Sequence, residues 1–339
     1  MALAVTAACI IVLLVILVAL VGPRPAVLAL AGGCALAVGL VLVAGRAGAP
    51  AAVRGGRARR GRLAARKDSG LFAQLRAAPD GEAAARLQEF FRLVGRKFSE
   101  GFRVAMSGPP GDEATLAALR EAWKRHPWKS ASASAPPSRA RGRLAEIADL
   151  LPPRRRAPEA GPLRYLDIGA GDGSITAAIA HDLGIPPARA VAADLYVPRE
   201  ANPAVEHVRV DGRELPFGDG TFGLVTMFMA AHHFADAAQV FAETYRVTQP
   251  GARLILREHG RADAAAALYY DVLHGFYEVT NDEKTPREWV ARYERGGFAH
   301  YRTPAEWVAL AAEAGFALDF EGTPRADIFD TVLLAFVRK

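Results

Sequence analysis

Tyr165-Leu166-Asp167-Ile168-Gly169-Ala170-Gly171-Asp172-Gly173-Ser174 is the stretch on which the fold turns. An apolar run ends with an acidic residue two places before a glycine, glycines then alternate, and a helical pattern begins at Ser174. Glycines at that density let the backbone turn tightly and let a ligand approach it closely. A dinucleotide-type turn needs G-x-G-x-x-G, and Ser174 stands where its third glycine belongs, so this turn suits a ligand without a pyrophosphate. Working outward, Leu163–Ile168 is followed by short apolar runs at Ala190–Ala193, Val205–Val210, Phe222–Phe228, Ala252–Leu256 and Ile328–Val337. Helical patterns at Ser174–Leu183, Asp236–Val247 and Pro304–Ala314 lie between them. That alternation predicts a doubly wound α/β sheet. Its ligands would bind beyond the carboxyl ends of the strands.

The residues at those ends are informative. The second run closes on Asp194, 21 residues beyond Gly173, where a carboxylate can accept both hydroxyls of a ribose. The third closes on Val210-Asp211-Gly212, a carboxylate placed to accept from an adenine amino group. The fourth is approached through Leu215-Pro216-Phe217-Gly218-Asp219 and finishes in Met227-Phe228-Met229-Ala230-Ala231-His232-His233.

On these residues the sequence resembles the class I S-adenosylmethionine-dependent methyltransferases, of the type 11 group that includes the ubiquinone and menaquinone methyltransferases. The resemblance rests on Asp167–Gly173, the acidic end of strand two, and D-x-x-x-L-P-F-x-D-x-x-F from Asp211 to Phe222. His232-His233, R-V-x-x-P-G from Arg246 to Gly251, and Thr303–Phe316 extend it, so that it covers about Leu163 to Lys339. It implies a seven-stranded Rossmann-like sheet with an antiparallel last strand, and S-adenosyl-L-methionine as cofactor. It further implies that Asp167, Gly169, Gly171 and Gly173 hold the methionine part, Asp194 the ribose, and Asp211 with Gly212 the adenine side, with Ala170, Leu195 and Met227 beside them.

One departure from that pattern is about forty residues between Gly260 and Tyr301, longer than a simple linker, and this insertion at about 261–302 reads as a substrate lid. If its middle is helical, Asp271, His274 and Glu278 stand on one face. The expected base for an oxygen or nitrogen acceptor is His274, paired with Asp271 or Glu278, with Glu258 and His259 lining the site. Of His232 and His233, one is expected to line the pocket, His233 being the candidate, while the other packs or caps the next helix. A metal is not expected, because His232, His233, His259 and His274 lack the short spacing of a zinc motif apart from the adjacent pair.

The first 156 residues differ in kind. Ala2–Val21 and Ala26–Ala44 carry no charge, and each is long enough to cross a bilayer of about 30 Å as a helix. Gly22-Pro23-Arg24-Pro25 breaks them apart, which predicts a two-helix transmembrane hairpin in residues 1–45 with membrane contact through residues 2–44. A cleaved signal is the weaker expectation, since Met1-Ala2-Leu3 lacks a basic side chain. Arg46 to Lys67 then brings eight cations, which by the positive-inside rule puts the catalytic domain of a two-span membrane protein in the cytosol. The remaining organisation reads as a basic juxtamembrane linker at 46–80, a helical and linker region at 81–156, and the methyltransferase-like domain at 157–339. Helices are expected at Gly81–Met106, Asp112–Trp128 and Leu144–Leu151, with a loop at Ser130–Arg143 and a boundary at Pro152–Pro158.

Charge follows the same division. Residues 46–156 hold 24 Lys and Arg against 10 Asp and Glu, and residues 157–339 hold 17 against 26. The acidic second part argues against nucleic acid as substrate of the catalytic domain, as does the lack of an Asp/Asn-Pro-Pro-aromatic sequence at Thr226-Met227-Phe228. Two cysteines, Cys9 and Cys34, exclude a disulfide scaffold or four-cysteine zinc ribbon. The expected function is transfer of a methyl group to an oxygen, nitrogen or carbon of a small, lipid-like acceptor. The rivals are a membrane-tethered RNA or protein methyltransferase and a non-catalytic S-adenosylmethionine-binding scaffold; the acceptor and oligomeric state are not legible.

Overall fold

The computed structural model of the chain describes residues 70–93, 99–125, 137–152, 163–198, 201–281, 283–296 and 299–339. The expected hairpin at 1–45, the cationic run Arg46–Lys67 and most of the Pro152–Pro158 boundary lie outside the described residues. Among the described residues no helix is long and apolar enough to cross a membrane.

Strands β1 (Tyr165–Ile168), β2 (Ala190–Asp194), β3 (Glu206–Arg209), β4 (Phe222–Phe228), β5 (Thr248–His259), β6 (Phe316–Glu321) and β7 (Thr331–Arg338) form one sheet in the order β3-β2-β1-β4-β5-β7-β6. The first five run parallel, and β7 is antiparallel to both its neighbours. β1 and β4 are buried along their whole length, as strands covered on both faces must be. The strand β6 was absent from the apolar runs read in the sequence. It is an edge strand buried mainly at Phe316, so Phe-Ala-Leu-Asp-Phe-Glu carries only a short amphipathic signal.

The helices fall into two groups. α6 (Ser174–Leu183), α7 (Ala237–Val247) and α10 (Pro304–Glu313) follow the connections expected of the sheet. α1 (Leu71–Ala77), α2 (Glu82–Leu93), α3 (Ser99–Ser107) and α4 (Asp112–Arg125) precede it and pack with α8 (Ala264–Thr280) and α9 (Pro286–Arg295) from the insertion. Phe72, Phe90, Phe91, Tyr269, Phe276 and Trp289 are all fully buried there. Each large apolar side chain contributes about 1.5–3 kcal/mol on burial, enough in sum to hold this layer as a packed body. Phe90, Phe91 and Trp123 meet Phe276 edge to face, with ring centres 5.4–5.8 Å apart. Leu71–Ala77 thus belongs to this layer, not to the linker expected to reach residue 80. The Asp112 carboxylate accepts the Leu71 and Phe72 N–H groups at 2.6 and 2.9 Å, satisfying the open start of α1.

The segment expected to be a loop is corrected in part, since α5 (Pro137–Ile147) is helical and a 3₁₀ turn at Ala148–Leu150 follows. Ile147 and Leu150 are buried with Tyr165 and Ile179, which supplies the tertiary contact that Ser/Arg-rich composition does not advertise. The insertion helices carry their own caps: Asp263 caps α8 through the Ala266 N–H, and Thr285 with Glu288 forms a capping box on α9.

Candidate active site

The glycine turn is shaped by left-handed backbone at Gly169, Gly171 and Gly173, with φ of 76°, 58° and 74°. A Cβ at Gly169 would stand 2.2 Å from that of Ala230, so the turn passes too close to the end of β4 for any side chain. Asp172 caps α6, accepting from the Ser174 N–H at 3.0 Å and from its hydroxyl at 2.8 Å.

Asp167 is not in the cleft. It is 2% exposed, and its two oxygens accept from the hydroxyls of Thr176 on α6 and Thr226 on β4, both at 2.7 Å. It pins the first turn of α6 to the sheet, and burial pushes its pKa up to about 6. The expectation that its carboxylate meets the cofactor directly is therefore corrected to a role beneath the turn.

A cleft of about 710 Å³ opens at the carboxyl ends of the strands. Gly169, Asp194, Leu195, Asp211 and Gly212 line it, as do Met229, Ala230 and His233. Ala170, Gly171 and Gly173 lie outside this lining. The two oxygens of Asp194 accept from the N–H groups of Gly171 and Tyr196 at 2.8 and 3.0 Å, and each retains a lone pair for a further donor. Asp211 is held by Arg213, whose side-chain and backbone donors keep its carboxyl below the usual range. Met227, expected beside the cofactor, is instead fully buried in the core of the sheet. Met229, two residues on and just past the strand, takes the wall position with φ of 56°, a strained value for a non-glycine residue. No sequence signal marked that shift.

The far wall of the cleft belongs to the insertion, through Glu278, Glu283, Lys284 and Arg292. Glu278 pairs with Arg292 at 2.9 Å, so it is not the partner of His274. Lys284 lies 5.6 Å from the centre of the Tyr196 ring, joining lid to sheet edge.

Behind His233 lies a chamber of aromatic and ionisable side chains. His232 is fully buried, its Nδ1 2.7 Å from Glu258 Oε2 and its Nε2 3.2 Å from His274 Nε2. The Nδ1 of His274 is 2.8 Å from the Tyr270 carbonyl and 3.1 Å from the Tyr301 hydroxyl, which itself donates to Asp271 at 2.9 Å. The segment carrying Tyr301 is tied down by the His300 N–H, which donates to the His232 carbonyl at 2.6 Å. His259 is buried too, stacked on Tyr270 at 3.9 Å, with Nδ1 directed to the Phe329 carbonyl at 2.9 Å. Burial pushes His232 and His274 well down, takes His259 to about 3 and pushes Glu258 up.

Three expectations are thereby corrected. Glu258 and His259 stand behind His232 and do not line the cleft, because β5 carries them into the buried layer under α8. The Tyr301 hydroxyl stands between His274 and Asp271, the Nε2 of His274 is directed at His232, and His274 is not among the residues lining the cleft. The structure gathers the adjacent pair His232 and His233 with the distant His274 into one cluster; Tyr301 was missed because only the return of the 299–303 segment places it there.

Comparison with known proteins agrees with the geometry. Residues 166–256 match the family described as a methyltransferase domain. The demethylmenaquinone methyltransferase of Beutenbergia cavernae is 33% identical over 122 residues, covering 34% of this chain and 48% of that protein. That of Thermus thermophilus is 35% identical over 118 residues, covering 31% and 53%. The chain spans about half the length of these curated relatives. Among solved structures, the 1,6-didemethyltoxoflavin-N1-methyltransferase of Burkholderia thailandensis is 18% identical, covers 68% of this chain and 92% of that one, and superposes with a TM-score of 0.40. Over residues 166–256 the chain is thus similar to a methyltransferase domain and to part of the demethylmenaquinone methyltransferases.

Proposed function

We propose that the chain transfers a methyl group from S-adenosylmethionine to a small, lipid-like acceptor held between the sheet edge and the helical lid. The observation that carries this reading is one cleft with the carboxylates Asp194 and Asp211 at one side and His233 with the insertion residues Glu278, Lys284 and Arg292 at the other. The residues present fit the cofactor: Asp194 has lone pairs free for adjacent hydroxyls, Asp211 and Gly212 flank an adenine-sized wall, and Leu195 offers an apolar face. The cofactor supplies an activated methyl on a sulfonium, already a good leaving group. The chain's own task is to align the acceptor with that methyl and keep water out. His233, which borders the cleft with its ring tilted against that of His232, centres 4.1 Å apart, is placed to meet the acceptor's polar atom. The lid residues Glu278, Lys284 and Arg292 close over the other side.

The relatives are named for a demethylated menaquinone, which supports a hydroxylated ring as the acceptor. The uncharged stretches at 2–21 and 26–44 support a membrane location, with the cationic run that follows favouring the cytosolic side. The test is calorimetric titration with S-adenosylmethionine and S-adenosylhomocysteine, then transfer of labelled methyl to lipid extracts. Micromolar binding and a labelled lipid product are expected; absence of both from a folded chain would sink the reading.

A further inference from the structure

We propose that His232, His233 and His274 bind a single divalent transition-metal ion at the lid end of the cleft. One ring nitrogen from each lies within 4.8 Å of the others, and the Nε2 atoms of His232 and His274 are 3.2 Å apart. Two imidazoles bound to one tetrahedral ion at about 2.0–2.1 Å place their nitrogens roughly 3.3–3.4 Å apart, so these two rings already stand at ligand spacing.

The orientation of the rings points the same way. His232 Nδ1 faces Glu258, and His274 Nδ1 faces the Tyr270 carbonyl and the Tyr301 hydroxyl, whose own proton goes to Asp271. A backbone carbonyl can only accept, so His274 carries its proton on Nδ1 and presents a lone pair at Nε2. With the proton of His232 on Nδ1 toward the Glu258 carboxylate, its Nε2 presents a lone pair as well. A carboxylate or carbonyl on the outer nitrogen is what fixes the tautomer and ring plane of a metal-bound histidine. Two lone pairs directed at each other need an electrophile between them. A divalent ion at that point accepts both lone pairs.

A second observation is independent of this pair. His259, 1% exposed, directs Nδ1 to the Phe329 carbonyl, and its Nε2 is buried without a hydrogen-bond partner. Its ring centre is 4.8 Å from that of His232 and 6.1 Å from that of His274, so an unspent nitrogen lone pair sits in the same chamber. Imidazole ligands favour zinc, cobalt, iron, nickel or copper over magnesium or calcium. Because His233 also lines the cleft, an open position on the ion faces the space given to the acceptor, where it would polarise an acceptor hydroxyl. That role rests on the methyl-transfer reading; ion binding does not.

The experiment uses the untagged full-length chain, stripped with chelator and dialysed against Co²⁺ or Zn²⁺. About one ion per chain is expected, with visible Co²⁺ absorption from nitrogen ligands. His232→Ala and His274→Ala should lose the ion, and Glu258→Gln, which keeps all three ligands, should weaken binding about 10- to 100-fold. Binding of S-adenosylhomocysteine by each variant reports folding from the opposite end of the cleft. Wild type that binds S-adenosylhomocysteine yet takes up neither ion overturns the proposal, as does His274→Ala with undiminished Co²⁺ absorption. Uptake of the ion without S-adenosylhomocysteine binding upholds the metal site and removes the methyl-transfer reading instead.

Discussion

At the sheet end of the cleft, Asp194 and Asp211 accept from backbone N–H groups of their own strand-to-loop turns or the neighbouring glycine turn, and they remain open to a ligand. At the lid end, Glu258, His232, His274, Tyr301 and Asp271 bond chiefly to one another across 26 to 42 residues of chain and are largely withdrawn from solvent. The first end is assembled by successive strand ends of one sheet, each contributing a carboxylate where the strand stops. The second needs β5, the insertion helix α8 and the 299–303 segment to arrive together. The sheet end is therefore local and additive, while the opposite end behaves as a unit in which each substitution leaves a buried partner exposed to loss.

The largest effect should come from the turn that joins the two ends. Gly169→Ala puts a methyl 2.2 Å from Ala230 at a φ of 76°, and a destabilisation of about 3–5 kcal/mol is expected by urea unfolding. A loss under about 1 kcal/mol would show that the β4 end yields and that the turn is not a shared constraint.

Next comes the support beneath the turn. Burial raises the pKa of Asp167 from 3.8 to about 6, so the folded chain takes up a proton between those values. This stabilising contribution is full below pH 3.8, falls as the pH rises, and is gone above about 6, a change of about 3 kcal/mol. In Asp167→Asn the dependence should vanish, so the stability of wild type relative to the variant should improve on moving from pH 7 to pH 4.5. Parallel curves for the two proteins would refute the buried-acid assignment.

Asp194→Ala should weaken S-adenosylhomocysteine binding about 30- to 100-fold, the worth of charge-assisted hydrogen bonds from two hydroxyls, with little effect on the lid chamber. An equal loss of metal uptake would break the separation of the two ends. Tyr301→Phe removes the hydroxyl shared by Asp271 and His274 and should cost about 1–2 kcal/mol of stability. Its calorimetric cofactor affinity should stay within about twofold of wild type while turnover falls, and a matching fall in affinity would contradict the comparison. Smallest is Arg292→Ala, which opens the partly buried pair with Glu278 and should raise the acceptor KM a few-fold at about unchanged kcat.

The contrast between the ends also explains what could be read in advance. Asp194, Asp211 and Gly169 follow from motifs in which a backbone turn and its functional residue are adjacent in sequence, so a short string suffices. Met227 shows the limit even there: the string located the strand end, but the positive φ at Met229 decided which methionine reaches the cleft. Asp167 likewise was visible as the acidic residue two places before the first glycine of the turn, yet its two threonine partners come from α6 and β4 and turn it inward. At the lid end the face of α8 was legible, with Asp271, His274 and Glu278 in register, but their partners were not. Glu278 pairs with Arg292 from the next helix, and the Tyr301 hydroxyl stands between Asp271 and His274.

By itself the sequence determined the α/β class, the glycine turn, the carboxylates at the ends of β2 and β3, and the existence of an insertion near 261–302. These depend on residue spacing along one strand or turn, which is a property of the chain. Only the tertiary structure decided that α1, α2, α3 and α4 pack with the insertion helices as one layer, and that His232, His233 and His274 meet. Such meetings depend on which faces of separate elements bury against each other, and the energy that selects them is the burial of side chains drawn from both ends of the chain.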